Sequence, residues 1–228
     1  RCAAHYPDRI AYHDGDRALS WQQIHARSDR LAAALQGLGL KKGDVAAILS
    51  HEHLEVYEHL YACYKTGLLR CGINWRYAPR EMLHVIRDSN ARVILVQANC
   101  VPLLAEILDD VRADGRILIG YGGAHGLHHD LETLLDSADA RPRPVELTED
   151  DLIALSYTSG TTGLPKGVMI SQGAMRDSML YTVLGIGLRY EDVWFPPTAS
   201  GWITFVLGSM NLMNGMTVVL PNGDFDTA

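Results

Sequence analysis

The residues best suited to chemistry lie in one short segment, residues 157–167, which reads YTSGTTGLPKG. Apolar runs at residues 152–155 and 168–170 flank the segment, so we predict a loop between two strands. Glycines let backbone N–H groups approach an anion, hydroxyl groups add neutral donors, and a lysine adds positive charge. This combination is typical of a loop that binds polyphosphate, and a solvated turn is the simpler alternative.

The nucleotide-binding P-loop, Gly-x-x-x-x-Gly-Lys-Ser/Thr, does not fit this segment. Counted from Gly160, that pattern requires glycine where Pro165 stands and a hydroxyl residue where Gly167 stands. A proline also favours an extended backbone in the residue before it, which disfavours the start of a helix. The segment is therefore a different kind of phosphate loop.

Alternating strands and helices are predicted to position this loop. The predicted strands are residues 45–49, 68–73, 92–96, 116–119, 152–157 and 168–170. The predicted helices start at the N-cap Ser20, near residue 54, at Pro79, at residue 101 and at the N-cap Ser171. This alternation predicts an α/β fold with a doubly wound, mostly parallel sheet. Ligands of such sheets bind beyond the carboxyl ends of the strands, where the loop begins.

Composition excludes several classes of function. The chain has 228 residues, a net charge of −7 and interspersed acidic and basic residues, so no nucleic-acid partner is predicted. Residues 193–223 carry no charge, but prolines, asparagines and glycines interrupt them. They therefore lack the roughly 20 consecutive apolar residues of a spanning helix, and we predict no integral membrane segment but a buried helix followed by a strand at 216–220.

Cysteine and histidine spacing gives no metal site. The four cysteines are scattered and form no Cys-x-x-Cys pair, which favours a reducing, cytoplasmic location. His51, His53 and His59 lack the i, i+4 spacing of helical metal ligands. Three further histidines lie in a predicted loop at residues 120–130 and leave metal binding there as an alternative.

Residues 157–167 resemble the phosphate loop of the adenylate-forming superfamily, which includes acyl- and aryl-CoA synthetases, adenylation domains of peptide synthetases and beetle luciferases. Residues 9–49 and 67–96, with Asn74-Trp75-Arg76, are similar to acyl-CoA synthetases. The resemblance implies ATP, Mg²⁺ and CoA as cofactors or co-substrates. A carboxylate would attack the α-phosphate of ATP, and the thiol of CoA would then displace AMP from the acyl-adenylate.

The resemblance also implies roles for individual residues. Those expected to bind the β- and γ-phosphates are Thr158, Ser159, Gly160, Thr161, Thr162 and Gly163. Lys166 would add charge or hold the loop, while the main catalytic lysine is expected downstream of this chain. Ser200 and Trp202 are assigned to the acid pocket, because Gly201-Trp202 is similar to short- and medium-chain acyl-CoA synthetases. The residues before them depart from the family pattern, and packing of Trp202 in the core is the alternative.

Residues 45–195 are expected to form one α/β subdomain, with residues 1–44 and 196–228 belonging to a neighbouring one. The family's C-terminal lid domain is expected to be absent, so we predict that this chain alone does not complete catalysis. The expected substrate is a small or medium carboxylic acid, most simply a short- or medium-chain fatty acid, and a homodimer is left open. The alternatives are an adenylation domain that loads an amino or aryl acid onto a carrier protein and a degenerate nucleotide-binding module.

Overall fold

The computed structural model describes residues 2–158, 163–196 and 204–221. Its helices are α1 (Cys2–His5), α2 (Trp21–Gly37), α3 (Leu54–Thr66), α4 (Pro79–Asp88), α5 (Leu108–Ala113), α6 (Leu131–Ser137), α7 (Gln172–Ile186), α8 (Thr204–Ser209) and α9 (Asn211–Asn214), with a 3₁₀ helix at Ala98–Leu104. Its strands are β1 (Ile10–Asp14), β2 (Arg17–Ser20), β3 (Val45–Leu49), β4 (Leu69–Ile73), β5 (Ala91–Gln97), β6 (Ile117–Tyr121), β7 (His129–Asp130), β8 (Leu152–Thr158), β9 (Lys166–Ser171), β10 (Val193–Trp194) and β11 (Thr217–Leu220).

A seven-stranded sheet in the order β7-β6-β5-β3-β4-β8-β9 forms the centre of the fold. All neighbours in it are parallel except β8 and β9, which run antiparallel. Every residue of β3 is buried, and alternate residues contribute to two different hydrophobic clusters. Because successive side chains point to opposite faces, both faces of the sheet are covered. The predicted α/β fold with a doubly wound, mostly parallel sheet is confirmed.

A smaller sheet joins the two ends of the described chain. Its order is β10-β11-β1-β2, and β1 pairs in parallel with β11, with Tyr12 opposite Val218. Buried tyrosine hydroxyl groups connect this sheet to α3, since the hydroxyl of Tyr12 contacts the hydroxyl of Tyr61. The Tyr12 hydroxyl also donates to the amide oxygen of Asn211. The N-terminal strands therefore pack against residues about 200 positions later.

Local signals at helix ends agree with the sequence. Ser20 and Gln23 form a capping box at the start of α2, and Pro79 occupies the first turn of α4. Gly67 ends α3 with φ +67°, and a β-carbon there would lie 2.8 Å from the Leu147 side chain. Glycine is required at this turn both for its backbone conformation and for the close approach.

Several predicted elements were wrong or incomplete. The helix predicted from residue 101 is instead a 3₁₀ helix, Ala98–Leu104, followed by α5. Because the helical segment starts at Ala98, Pro102 lies inside it, where its missing N–H removes an α-helical hydrogen bond. The predicted loop at 120–130 contains the end of β6 and all of β7. The single helix predicted before residue 216 is divided into α8 and α9, and the sequence analysis missed the β1–β2 hairpin and α6. No helix among the described residues is long and apolar enough to cross a membrane.

Candidate active site

Strands β8 and β9 form the two arms of the glycine-rich loop. Thr158 is the last residue of β8, Lys166 is the first of β9, and the two are register partners in the antiparallel pair. Thr158 is half-buried, while Lys166 and Gly163 are exposed. The pairing therefore places a hydroxyl group and a lysine side by side at the mouth of the loop.

The loop lies at the carboxyl edge of the parallel strands. β4 pairs with β8 through Cys71 and Leu155, and β3 pairs with β4 up to Leu49 and Ile73. The residues that follow β3, β4 and β8 are consequently neighbours at one edge of the sheet. This is the edge at which open α/β sheets bind their ligands.

A group of side chains in mutual contact follows β3 and β4 at the same edge. The rings of His51 and Trp75 have centroids 4.6 Å apart, and the guanidinium of Arg76 lies 4.1 Å from the Trp75 ring centroid. Arg76 is exposed, and its guanidinium lies over the Trp75 ring in a cation–π contact. The sequence analysis used residues 74–76 only for the family resemblance and assigned them no role in the site.

Helix α4 contacts both arms of the loop. The hydroxyl of Tyr157 donates to Oδ2 of Asp88 at 2.6 Å, and Nε2 of His84 lies 3.0 Å from the carbonyl oxygen of Pro165. The hydroxyl of Tyr77, just before α4, lies 3.4 Å from the carbonyl oxygen of Tyr157. The sequence analysis missed these residues, because no local pattern indicates contacts between segments so far apart in the chain.

Burial sets the protonation states of side chains around the site. Burial and the hydrogen bond to Asp88 raise the pKa of the Tyr157 hydroxyl, which therefore remains a donor. Burial raises the pKa of Cys71 to about 12 and that of Cys100 to about 11. These thiols stay protonated at neutral pH and are poor nucleophiles.

The structure brings together only part of the predicted site. Thr158 ends β8, Lys166 begins β9, and Gly163 lies in the loop between them. The other predicted residues lie outside the described residues: Ser159, Gly160, Thr161, Thr162, Ser200 and Trp202. Their roles stay predictions.

The described residues contain no cluster of metal-ligating side chains. Across residues 2–158, 163–196 and 204–221, no three His, Cys, Asp or Glu side chains are grouped to hold a metal ion. In the histidine-rich segment, Nδ1 of His125 accepts from the Leu127 amide at 3.1 Å, and Nε2 lies 3.3 Å from Asp130. A Mg²⁺ ion at the glycine-rich loop would depend on phosphate oxygens and on bound water molecules, because Mg²⁺ commonly retains several waters.

A family model described as "AMP-binding enzyme" matches residues 1–228. The fatty acid–(acyl-carrier-protein) ligase ScoC of Streptomyces coeruleorubidus is 32% identical over 184 residues, which are 78% of this chain and 33% of that protein. The medium-chain acyl-CoA ligase Mig of Mycobacterium avium is 34% identical over 188 residues, with 75% of this chain and 34% of that protein covered. The chain therefore spans about a third of the length of these relatives.

Solved structures share the fold. The inhibitor-bound N-terminal domain of FACL13 from Mycobacterium tuberculosis has a TM-score of 0.86 and 28% identity, covering 98% of this chain and 56% of that one. The o-succinylbenzoate CoA synthetase of Bacillus subtilis, in complex with its acyl-adenylate intermediate, has a TM-score of 0.79 and 26% identity. That match covers 96% of this chain and 54% of the synthetase chain.

Proposed function

The chain belongs to the AMP-binding enzyme family, and we propose that it is part of an ATP-dependent ligase that joins a carboxylic acid to a thiol through an acyl-adenylate. The observation that carries the proposal is the pairing of Thr158 with Lys166 at the carboxyl edge of the sheet. This pairing presents a loop rich in backbone and hydroxyl donors where a polyphosphate can be bound.

The acid we propose is a short- or medium-chain fatty acid, and the acceptor is CoA. Two observations support this choice: the similarity to a medium-chain acyl-CoA ligase and the Gly201-Trp202 pair. The similarity to a fatty acid–(acyl-carrier-protein) ligase favours a second candidate, in which the thiol belongs to a carrier protein.

The proposed role of the loop is to stabilise the leaving pyrophosphate. When the carboxylate attacks the α-phosphate, negative charge grows on the departing pyrophosphate, and preorganised donors stabilise that charge. Thr158, Lys166 and the hydroxyl and backbone groups of residues 159–163 would supply these donors.

We propose that these residues perform only part of the reaction, because the chain spans about a third of the length of its relatives. Because β1, β2, β10 and β11 form a sheet of their own, we propose that residues 45–195, apart from β10, form one subdomain and that the two chain ends contribute to a neighbouring one. We expect the isolated chain to lack adenylation activity. Adenylate formation by these 228 residues alone would contradict this expectation.

The test is ATP–pyrophosphate exchange by the full-length protein with fatty, aryl and amino acids. We expect exchange with fatty acids, and a Lys166→Ala, Thr161→Ala double variant should lose much of it, since one phosphate donor contributes on the order of 2–4 kcal/mol to the barrier. Lys41→Ala is a matched control, because Lys41 is an exposed lysine preceding β3, at the opposite edge of the sheet. Unchanged ATP–pyrophosphate exchange in the double variant would refute the role assigned to the loop. If the wild-type protein showed no such exchange with any acid, a degenerate nucleotide-binding module would be favoured instead.

A further inference from the structure

We propose that helix α4 holds both arms of the phosphate loop in position for ATP, which makes Tyr157, Asp88 and His84 positioning residues. This inference rests on the proposed function and adds that α4, which lies outside the loop, fixes the positions of the two ends of the loop. Asp88 and His84 are four residues apart, so they lie on the same face of α4. One helix face therefore contacts β8 and also the residue that precedes β9.

The contact with β8 is made by a buried phenol and an exposed carboxylate. Tyr157 is 3% exposed, and its side chain belongs to the same hydrophobic cluster as Met82 and Val85 of α4. Its hydroxyl reaches Asp88, the last residue of the helix. A carboxylate at a helix C-terminus is unfavourable beside the helix dipole. The hydroxyl donor from β8 offsets part of that cost and joins the end of the helix to the end of the strand.

The contact with the second arm is made through the backbone. A carbonyl oxygen can only accept, so Nε2 of His84 donates to the carbonyl of Pro165. Pro165 is buried and directly precedes Lys166, so this hydrogen bond orients the peptide group that leads into the lysine. The proline ring restricts the same residue at φ.

The geometry of the sheet explains why a second attachment is needed. Among the residues that the structure describes, β9 is the last strand in the sheet order and pairs with β8 alone. Val168 and Met169 on it are 50% and 68% exposed, so β9 buries little apolar surface of its own. The contacts with α4 therefore restrain the separation of Tyr157 and Pro165, which flank the predicted phosphate donors. Donors held in place before the substrate arrives are more effective than donors that must be ordered on binding.

The test uses the full-length protein with three variants. Tyr157→Phe removes the hydroxyl and keeps the ring, and His84→Phe removes the donor to Pro165. Asp114→Asn is the control, because Asp114 follows α5 and pairs with Arg87 of α4 at 2.7 Å, so the substitution removes a contact of α4 that involves neither β8 nor Pro165. A hydrogen bond of ordinary strength corresponds to about a two- to tenfold effect. We expect the KM for ATP to rise about that much in the two Phe variants, with the KM for the acid unchanged and Asp114→Asn like wild type.

Amide hydrogen exchange without substrate supplies a readout that does not depend on activity. We expect faster exchange at residues 166–171 in Tyr157→Phe and His84→Phe than in wild type and Asp114→Asn. The inference would be overturned by unchanged amide hydrogen exchange at residues 166–171 in both Phe variants. It would also be overturned if Asp114→Asn accelerated this exchange equally, or if the KM for ATP and the KM for the acid rose in parallel. If the wild type fails to activate any acid, the proposed function fails, while the exchange measurement still decides whether α4 restrains the arms.

Discussion

The ring of Tyr157 lies against the backbone of Gly167, its register partner on β9. A β-carbon at position 167 would lie 3.0 Å from Cζ of Tyr157 and 3.2 Å from its hydroxyl oxygen. The ring cannot move aside freely, because Tyr157 is buried and its hydroxyl is bonded to Asp88. Gly167 is therefore required for this close approach of a side chain to the neighbouring strand.

The first prediction is that Gly167→Ala displaces Tyr157 and weakens its hydrogen bond to Asp88. We expect the full-length enzyme to lose ATP affinity, measured as a rise in KM for ATP. In a Tyr157→Leu background the added methyl group meets no ring, so the same substitution should have a smaller effect. An equal effect in both backgrounds would show that the ring is not the obstacle.

The second prediction concerns Gly208 in α8. A β-carbon there would lie 1.8 Å from the hydroxyl oxygen of Tyr57, which is fully buried and donates to Glu52. Gly208→Ala should lower the free energy of unfolding by about 1–3 kcal/mol or more through overpacking. Gly185→Ala in α7 is the control, since nothing lies within 4 Å of the added carbon and alanine favours a helix. Urea unfolding that ranks the two variants equally would contradict the packing argument.

The third prediction concerns a buried carboxylate, Glu58, whose side chain is 1% exposed. Burial raises the pKa of Glu58, and the ion pair with Arg27 partly opposes that effect. Arg27→Ala would leave the carboxyl buried without this charge, at a cost of about 3–5 kcal/mol in the free energy of unfolding.

The control for Arg27→Ala is Arg112→Ala, which removes an ion pair with the exposed Asp109 at 3.8 Å. Surface pairs of this kind contribute little, so its unfolding midpoint should match that of wild type. The argument fails if chemical denaturation finds the two variants equally stable.

The fourth prediction is a pH dependence set by Asp14 and His53, which lie 3.2 Å apart. Burial alone would raise the pKa of Asp14, but hydrogen bonds from His53, Arg17 and the Leu54 amide lower it to about 2. The hydrogen bond to Asp14 raises the pKa of His53 despite its burial. A raised histidine pKa stabilises the fold below the ordinary value of about 6.5, and this stabilisation is lost as pH rises through the folded-state pKa.

Asp14→Asn should therefore destabilise the protein most between about pH 4 and pH 6.5, with a smaller difference from wild type at higher pH. Below about pH 4 the difference should shrink again as Asp14 itself becomes protonated. Unfolding free energies at several pH values, with an NMR titration of His53, measure both effects. A difference that grows above pH 7 would contradict the assignment.

Features that depend on neighbouring residues were predictable from the sequence alone. The apolar runs of β3 and β8, the capping box at Ser20, the glycine after α3 and the phosphate-loop composition of residues 157–167 all depend on neighbours in the sequence. Patterns of this kind have a physical cause within a few residues, so they predicted the parallel sheet and the position of the loop at its edge.

Tertiary structure decided what these patterns could not. The apolar residues of β9 predicted another strand, and only the sheet order makes it an exposed, antiparallel edge. Tyr157 and Asp88 are 69 residues apart, and His84 and Pro165 are 81 residues apart. Contacts over such separations produce no local sequence pattern from which they could be predicted. The amino acids by themselves predict a loop able to bind phosphate. The packing of α4 against both arms determined how that loop is held, because hydrogen bonds between distant segments exist only once the chain has folded.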